Sequence, residues 1–175
     1  MSQFKFCPHC AAPLRPAKHG GATRLACSKE GCSYVHWENP TPVVAAIVEH
    51  QGAIILARNR SWPMKFYGLI TGFLEKEDPS PEEAVRREVK EELGLDATGS
   101  SFVGHYPFPR MNQIIIAYHV PAQGEIQLSE ELAEYKRIEP AKARYWPGST
   151  GFALRDWLRA RGLDPQPMEL PTKPL

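Results

Sequence analysis

Apolar residues recur along the chain as runs and stripes, and each pattern predicts an element. Val43 to Val48 is an unbroken apolar run, His50-Gln51-Gly52 carries turn residues, and Ala53 to Ala57 is a second run. This order predicts a hairpin of buried strands. Ala84, Val85, Val89 and Leu93 recur at spacings of one, four and four, which puts an apolar stripe on one side of a helix. Its ends are marked: Ser80 stands as N-cap, Pro81 at the first helical position, and Glu83 three residues on completes a capping box. Gly94 follows Leu93 where a left-handed residue closes a helix. Downstream, Ser101 to Tyr106 reads as a short strand, Ile114 to Tyr118 as a longer buried one and Tyr135 to Ile138 as another. A last helix takes Ser149 or Thr150 as cap, turns Leu154, Trp157 and Leu158 to the core and ends at Gly162.

Prolines punctuate this pattern. Trp37-Glu38-Asn39-Pro40 with Pro42 reads as a stiff linker, and Pro165, Pro167, Pro171 and Pro174 make the end of the chain an extended strap. The predicted partition is a cysteine-bearing segment at 1–36, a linker at 37–42, a main domain at 43–162 and a proline-rich tail at 163–175. A chain of 175 residues, 42% apolar and 23% charged, has room for one ordinary domain with a small attachment. The net charge of +1 gives no bulk attraction to nucleic acid. No stretch approaches the ~18 apolar residues of a membrane span, and no export signal stands at the N-terminus. The expected setting is the cytoplasm, away from any membrane.

All four cysteines lie in the first 32 residues. Cys7 and Cys10 form C-x2-C, and Cys27 and Cys32 form C-x4-C. Two such knuckles have the ligand count of a tetrahedral four-cysteine zinc ribbon; two disulfides are the competing reading, disfavoured in a reducing compartment. His9, inside the first knuckle, is a further potential ligand. A closed four-thiolate site leaves no position for substrate, so this zinc would fold the segment. Lys5, Arg15, Lys18, Arg24 and Lys29 face only Glu30 and Glu38 before residue 40, which suits either a solvated surface or a platform for a polynucleotide.

The main domain's chemistry gathers on the first helix. Glu88, Glu91 and Glu92 stand at i, i+3 and i+4, so three carboxylates converge on one patch. By itself this could be a solvated face laced with ion pairs, with Arg87 reaching Glu91 at i+4. Such a cluster is equally what a hard Mg²⁺ or Mn²⁺ ion needs: oxygen ligands one turn apart, with substrate phosphates completing the shell.

Arg87, Glu88, Val89, Glu91, Glu92, Gly94 and Leu95, preceded by Gly72-Phe73-Leu74-Glu75 and an acidic loop, resemble the signature of the Nudix hydrolases. The family pattern is G-x5-E-x7-R-E-U-x-E-E-x-G-U, with U a bulky aliphatic residue. The second half matches throughout. In the first half, five residues lead from Gly72 to Asp78 rather than to a glutamate, and eight rather than seven separate Asp78 from Arg87. Glu77 and Asp78 are thus rivals for one role. The resemblance implies an α/β fold, an α/β/α sandwich with a mixed sheet behind the small zinc ribbon. It implies that Glu88, Glu91 and Glu92 bind the catalytic Mg²⁺ or Mn²⁺, with Gly72 and Asp78 as further ligands, and that Arg87 orients a glutamate. A carboxylate beyond the box serves as base or ligand in several members, and Glu134 is the best-placed residue for it.

The ribbon narrows the resemblance to the NADH pyrophosphatase branch. There S-Q-P-W-P-F-P-x-S follows the box; this chain keeps Pro107-Phe108-Pro109, with Tyr106 in the tryptophan's place, and lacks the Ser-Gln start and the final serine. Tyr67, Tyr106, Phe108 and Arg110 are the expected substrate contacts. The implied reaction is attack of metal-activated water on a pyrophosphate that links a nucleoside to another moiety, releasing two monophosphates. NADH or NAD comes first as substrate, then FAD or ADP-ribose, with removal of an NAD cap from RNA as a variant and RNA a partner only in that sense. Homodimers are frequent in the branch. A reading of another class is a non-catalytic nucleotide sensor whose ribbon binds nucleic acid or protein.

Overall fold

The computed structural model describes residues 4–169, so Pro171 and Pro174 lie outside the described residues. The chain divides between Pro40 and Thr41 into two compact units. In the first, β1 (Leu14–His19) pairs antiparallel with β2 (Ala22–Cys27), which pairs antiparallel with β3 (Val35–His36). Its buried apolar residues among those described are Cys7, Leu14 and Ala26, too few for a core.

The second unit is a seven-stranded mixed sheet between two helices. Its strands are β4 (Thr41–His50), β5 (Ala53–Asn59), β6 (Ile70–Phe73), β7 (Asp96–Ala97), β8 (Ser101–Phe108), β9 (Gln113–Gln123) and β10 (Leu132–Ile138). They run in the order β10-β5-β4-β9-β7, with β6 on β4 and β8 on β9. Only β4 and β9 pair in parallel; the other pairs are antiparallel. The unbroken apolar run in β4 follows from two covered faces. Val43, Ala45 and Ile47 join the core under α2 (Ser149–Ala160), while Val44, Ala46 and Val48 join the core under α1 (Pro81–Leu93). No helix among the described residues is long and apolar enough to cross a membrane.

The stripe of α1 is wholly inside: Ala84, Val85, Val89 and Leu93 are each 0% exposed, a burial worth about 1.5–3 kcal/mol for each of the larger three. Ser80 Oγ accepts the Glu83 N–H, and Gly94, at φ 70°, sends its N–H to Lys90 C=O. The other half of the capping box is not made, because Glu83 Oε1 takes Arg86 Nη1 at 3.0 Å instead. At α2 the expected cap is corrected. Gly148, in extended backbone, is the N-cap and supplies no side chain, while Ser149 and Thr150 already belong to the first turn. Part of the tail is tied down: Met168 N–H donates to Tyr145 C=O at 2.7 Å and Tyr145 N–H to Gln166 C=O at 3.2 Å.

Candidate active site

The box helix turns its acids toward β6. Gly72 lies in β6 opposite Val44 of β4, and the Glu88 carboxylate fills the space where a side chain on Gly72 would begin. A Cβ built there would stand 1.8 Å from Glu88 Cδ. The glycine is therefore required by close approach of an acid. Glu88 is 9% exposed, and burial raises its pKa against the pull of Arg87. Arg87 Nη1 bonds Glu88 Oε1 at 2.8 Å and Glu91 Oε2 at 3.0 Å. Glu92 has no cation on its carboxylate among the described residues. Burial first, then the charges of Glu88, Glu131 and Glu91, push it up to about 8.

The two rival acids of the loop are placed differently. Asp78 receives Arg87 on both oxygens, Nε on Oδ1 and Nη2 on Oδ2, each at 3.0 Å. Its Oδ2 also accepts the Glu75 N–H at 2.8 Å. Arg87 first, and then that N–H, lower the pKa of Asp78. Asp78 thus engages Arg87, which engages Glu88 and Glu91; Glu77 makes none of these bonds.

Beyond the box, the expected acid is paired with cations. Glu134 Oε1 takes Arg58 Nε at 2.8 Å and Lys65 Nζ at 3.8 Å, and Tyr67 foremost, then Arg58, lower its pKa. The later acid whose charge bears on Glu92 is Glu131. Its segment is fixed to the helix by Ser129 N–H on Glu92 C=O at 3.0 Å, and its own carbonyl accepts Arg60 N–H at 2.8 Å. Glu131 lies in an acidic segment from Glu125 to Glu134, and nothing in its spacing sets it apart.

On the other face of the sheet, beneath α2, is a slot of about 620 Å³. Phe108 and Arg110 line it, with Trp62, Phe66 and Trp146. Thr71 lines it too, next in sequence to Gly72, so slot and acids meet across β6. The other two expected substrate contacts are placed elsewhere. Tyr67 lies under Lys136 Nζ, 4.1 Å from the ring centroid. Tyr106 donates to Asp156 Oδ2 at 3.0 Å, and burial and that carboxylate push it up to about 12.

In the first unit the thiols of Cys7, Cys10, Cys27 and Cys32 all lie within 4.8 Å of one another. The closest pairs are Cys10–Cys27 at 3.5 Å and Cys7–Cys32 at 3.7 Å, and all four cysteines are free. A tetrahedron of Zn–S bonds has edges of about 3.8 Å, and a disulfide about 2.05 Å, so the thiols fit a metal ion.

Comparisons place these features among known proteins. The NUDIX domain model matches residues 39–159. A NAD-capped RNA hydrolase NudC of Mycobacterium bovis is 33% identical over 156 residues, 85% of this chain and 46% of the relative. The mitochondrial NAD(P)H pyrophosphatase NUDT13 of Homo sapiens is 30% identical over 130 residues, 71% of this chain and 35% of the relative. The chain thus spans less than half the length of these curated relatives. A crystal structure of a NUDIX hydrolase from Nitrosomonas europaea superposes with a TM-score of 0.71 over 93% of this chain and 96% of that one, at 19% identity; it is a likeness of fold.

Proposed function

The chain belongs to the Nudix family, and from that membership we propose that it is a metal-dependent hydrolase of a pyrophosphate joining a nucleoside to another moiety. A dinucleotide of the NADH type is the first substrate class, and two monophosphates are the products. NAD-capped RNA offers the same linkage, and relatives are named for it.

The observation that carries this reading is the Glu88 carboxylate pressed against Gly72, with Glu92 desolvated among like charges. Carboxylates so placed fit a hard cation, whose ligands would be Glu88, Glu91 and Glu92. Bound Mg²⁺ or Mn²⁺ would supply neutralisation of phosphate charge and activation of water. Arg87 holds Glu88 and Glu91 in place, and Asp78 holds Arg87. We assign to Glu131, rather than Glu134, the task of orienting the attacking water. The slot with Phe108 and Arg110 would take one ring of the substrate, fixing the scissile linkage at β6. The four thiols would hold a structural zinc.

The test is chromatography of the products formed by the zinc-loaded protein with Mg²⁺ or Mn²⁺ and NADH, NAD⁺, FAD, ADP-ribose and nucleoside triphosphates. AMP plus the partner monophosphate is expected from at least one dinucleotide. Tight binding of one compound with no hydrolysis of any would replace this reading with that of a nucleotide sensor.

A further inference from the structure

The segment between β5 and β6 touches both the slot and the acids beyond the box. Its base is closed by two bonds, Ala57 N–H to Gly68 C=O at 3.0 Å and Gly68 N–H to Ala57 C=O at 2.9 Å. Between these ends, Trp62, Met64 and Phe66 line the slot. The Trp62 and Phe66 rings stand 5.6 Å apart, and Phe66 meets Trp146 edge-on at 5.2 Å. The same segment is tied to the chain that carries Glu131 and Glu134. Arg60 N–H donates to Glu131 C=O at 2.8 Å. Glu134 is the ladder partner of Arg58; its Oε1 accepts Arg58 Nε at 2.8 Å and has Lys65 Nζ at 3.8 Å. Lys136 brings another positive charge to the same place, 4.1 Å from the centroid of the Tyr67 ring. The Glu134 carboxylate thus stands among the cations of Arg58, Lys65 and Lys136, which without it would repel one another and push the segment off β10. Residue 129 is bound in turn to the box helix, through Ser129 N–H on Glu92 C=O at 3.0 Å. Contacts therefore run from the ring of Phe66 to the backbone of Glu92.

We propose that Glu134 is a positioning residue, a clasp that joins the slot-lining segment to the acid-bearing one, so that Glu131 is set by the same segment that holds the substrate's ring. This inference rests on the pyrophosphatase reading and on Glu131 as the residue that orients water. Glu134 acts through Glu131 and does not touch the reacting atoms. The clasp stands where the sheet needs one. The register shift between Leu132 and Glu134 interrupts the β10–β5 ladder beside Glu131, and a bulge leaves backbone pairing locally broken; the Arg58–Glu134 pair and the Arg60–Glu131 bond hold the two chains together on either side of it. With side chains 26% and 39% exposed, the ion pair contributes little to folding as a whole. Its loss should appear in the placement of Glu131 rather than in the melting temperature.

The test is a double-mutant cycle on the full zinc-loaded chain, with Mn²⁺ and a dinucleotide that it hydrolyses. Glu134→Gln should lower kcat about tenfold or more through a misplaced acid, with KM little changed, and Arg58→Gln should copy it. In a Glu131→Gln background, Glu134→Gln should lower kcat no further, because residues that act as one unit are not additive. A raised KM with unchanged kcat would make Glu134 a wall of the slot and overturn the inference. So would an undiminished kcat in Glu131→Gln, or a full further loss in the double variant, which would make Glu134 an independent participant. In each of these cases the pyrophosphatase reading stands. Amide hydrogen exchange gives a readout that needs no turnover. Glu134→Gln should speed exchange of the Arg60 N–H about tenfold and leave the β4 amides as they are, the mark of a local opening. An unchanged Arg60, or equal acceleration throughout β4, overturns the clasp whether or not any dinucleotide is cleaved. Faster exchange at Arg60 alone, in a protein that hydrolyses nothing, upholds the clasp and overturns the pyrophosphatase reading.

Discussion

The two candidate metal sites are built on opposite plans. The ribbon draws four thiols from two short turns to within 4.8 Å of one another, and among the described residues Leu14 and Ala26 are the only other buried apolar residues of that unit. The box site draws on a helix, a strand and two loops, lies over a full core, and leaves Glu92 buried, repelled and, among the described residues, without a cation. A small unit lacking a core depends on its ion to fold. A unit with a core can afford to hold charges in mutual repulsion until a ligand relieves it.

The largest effect should therefore come from the ribbon's ion. A structural zinc contributes about 10 kcal/mol to the folding of a small ribbon. Chelation, or Cys10→Ser, should collapse the dispersion of the ribbon's amide resonances while residues 41–169 keep theirs. A ribbon that stays folded without metal would erase the contrast. Next is Glu92→Gln. It should lower kcat about a thousandfold, the scale of losing one preorganised electrostatic group. Measured without divalent metal, the same variant should melt at a higher temperature than the parent, because a neutral amide is spared the cost of burying a charge and, after it, the repulsion of Glu88, Glu131 and Glu91. Unchanged kcat would remove Glu92 from the site; a lowered melting temperature would show that its repulsion is not a strain on the fold.

Gly72→Ala comes third. The added Cβ would need the space of Glu88 Cδ, 1.8 Å away, so either the acid or the strand must move. The expected cost is about 1–3 kcal/mol by chemical denaturation, together with lost turnover. Tolerance of alanine in both assays would mean that Glu88 leaves β6 freely.

How much of this was legible follows from how local each determinant is. Both ends of α1 are readable because Ser80, Pro81 and Gly94 act within one turn, and its stripe is buried at each of the four positions named. The thiol cluster is equally plain in its spacing. β6 was harder, since Ile-Thr-Gly-Phe is four residues long and owes its strand state to β4 beside it. The placement of the acids beyond the box was not legible for a definite reason. Strict alternation from Leu132, which packs under α1, carries Glu134 to that same face. A register shift between Leu132 and Glu134 turns Glu134 toward Tyr67 instead, and Glu131 in the preceding loop is left near Glu92. Likewise Ser149 looks like a cap in sequence, but Gly148 takes that place because Trp146 C=O packs against Gly151 and sets where the turn begins.

The loop acids give the finest cut between the two plans. In the ribbon all four cysteines gather at one point, while His9 packs against Tyr34, and by the logic of the cysteines Asp78 would be a ligand of the box. Its oxygens instead receive Arg87 twice and the Glu75 N–H once. An acid so engaged acts through the arginine, which in turn fixes Glu88 and Glu91. Asp78→Asn keeps the shape and one acceptor but loses the charge-assisted pair. It should lower kcat by about tenfold to a hundredfold through misplaced carboxylates, with the Mn²⁺ concentration for half-maximal activity little changed. Glu77→Ala should change neither. If Asp78→Asn instead raises the Mn²⁺ requirement at least tenfold while kcat at saturating metal recovers, Asp78 is a ligand after all. The box would then follow the ribbon's plan of direct ligation, with Arg87 displaced when the ion arrives.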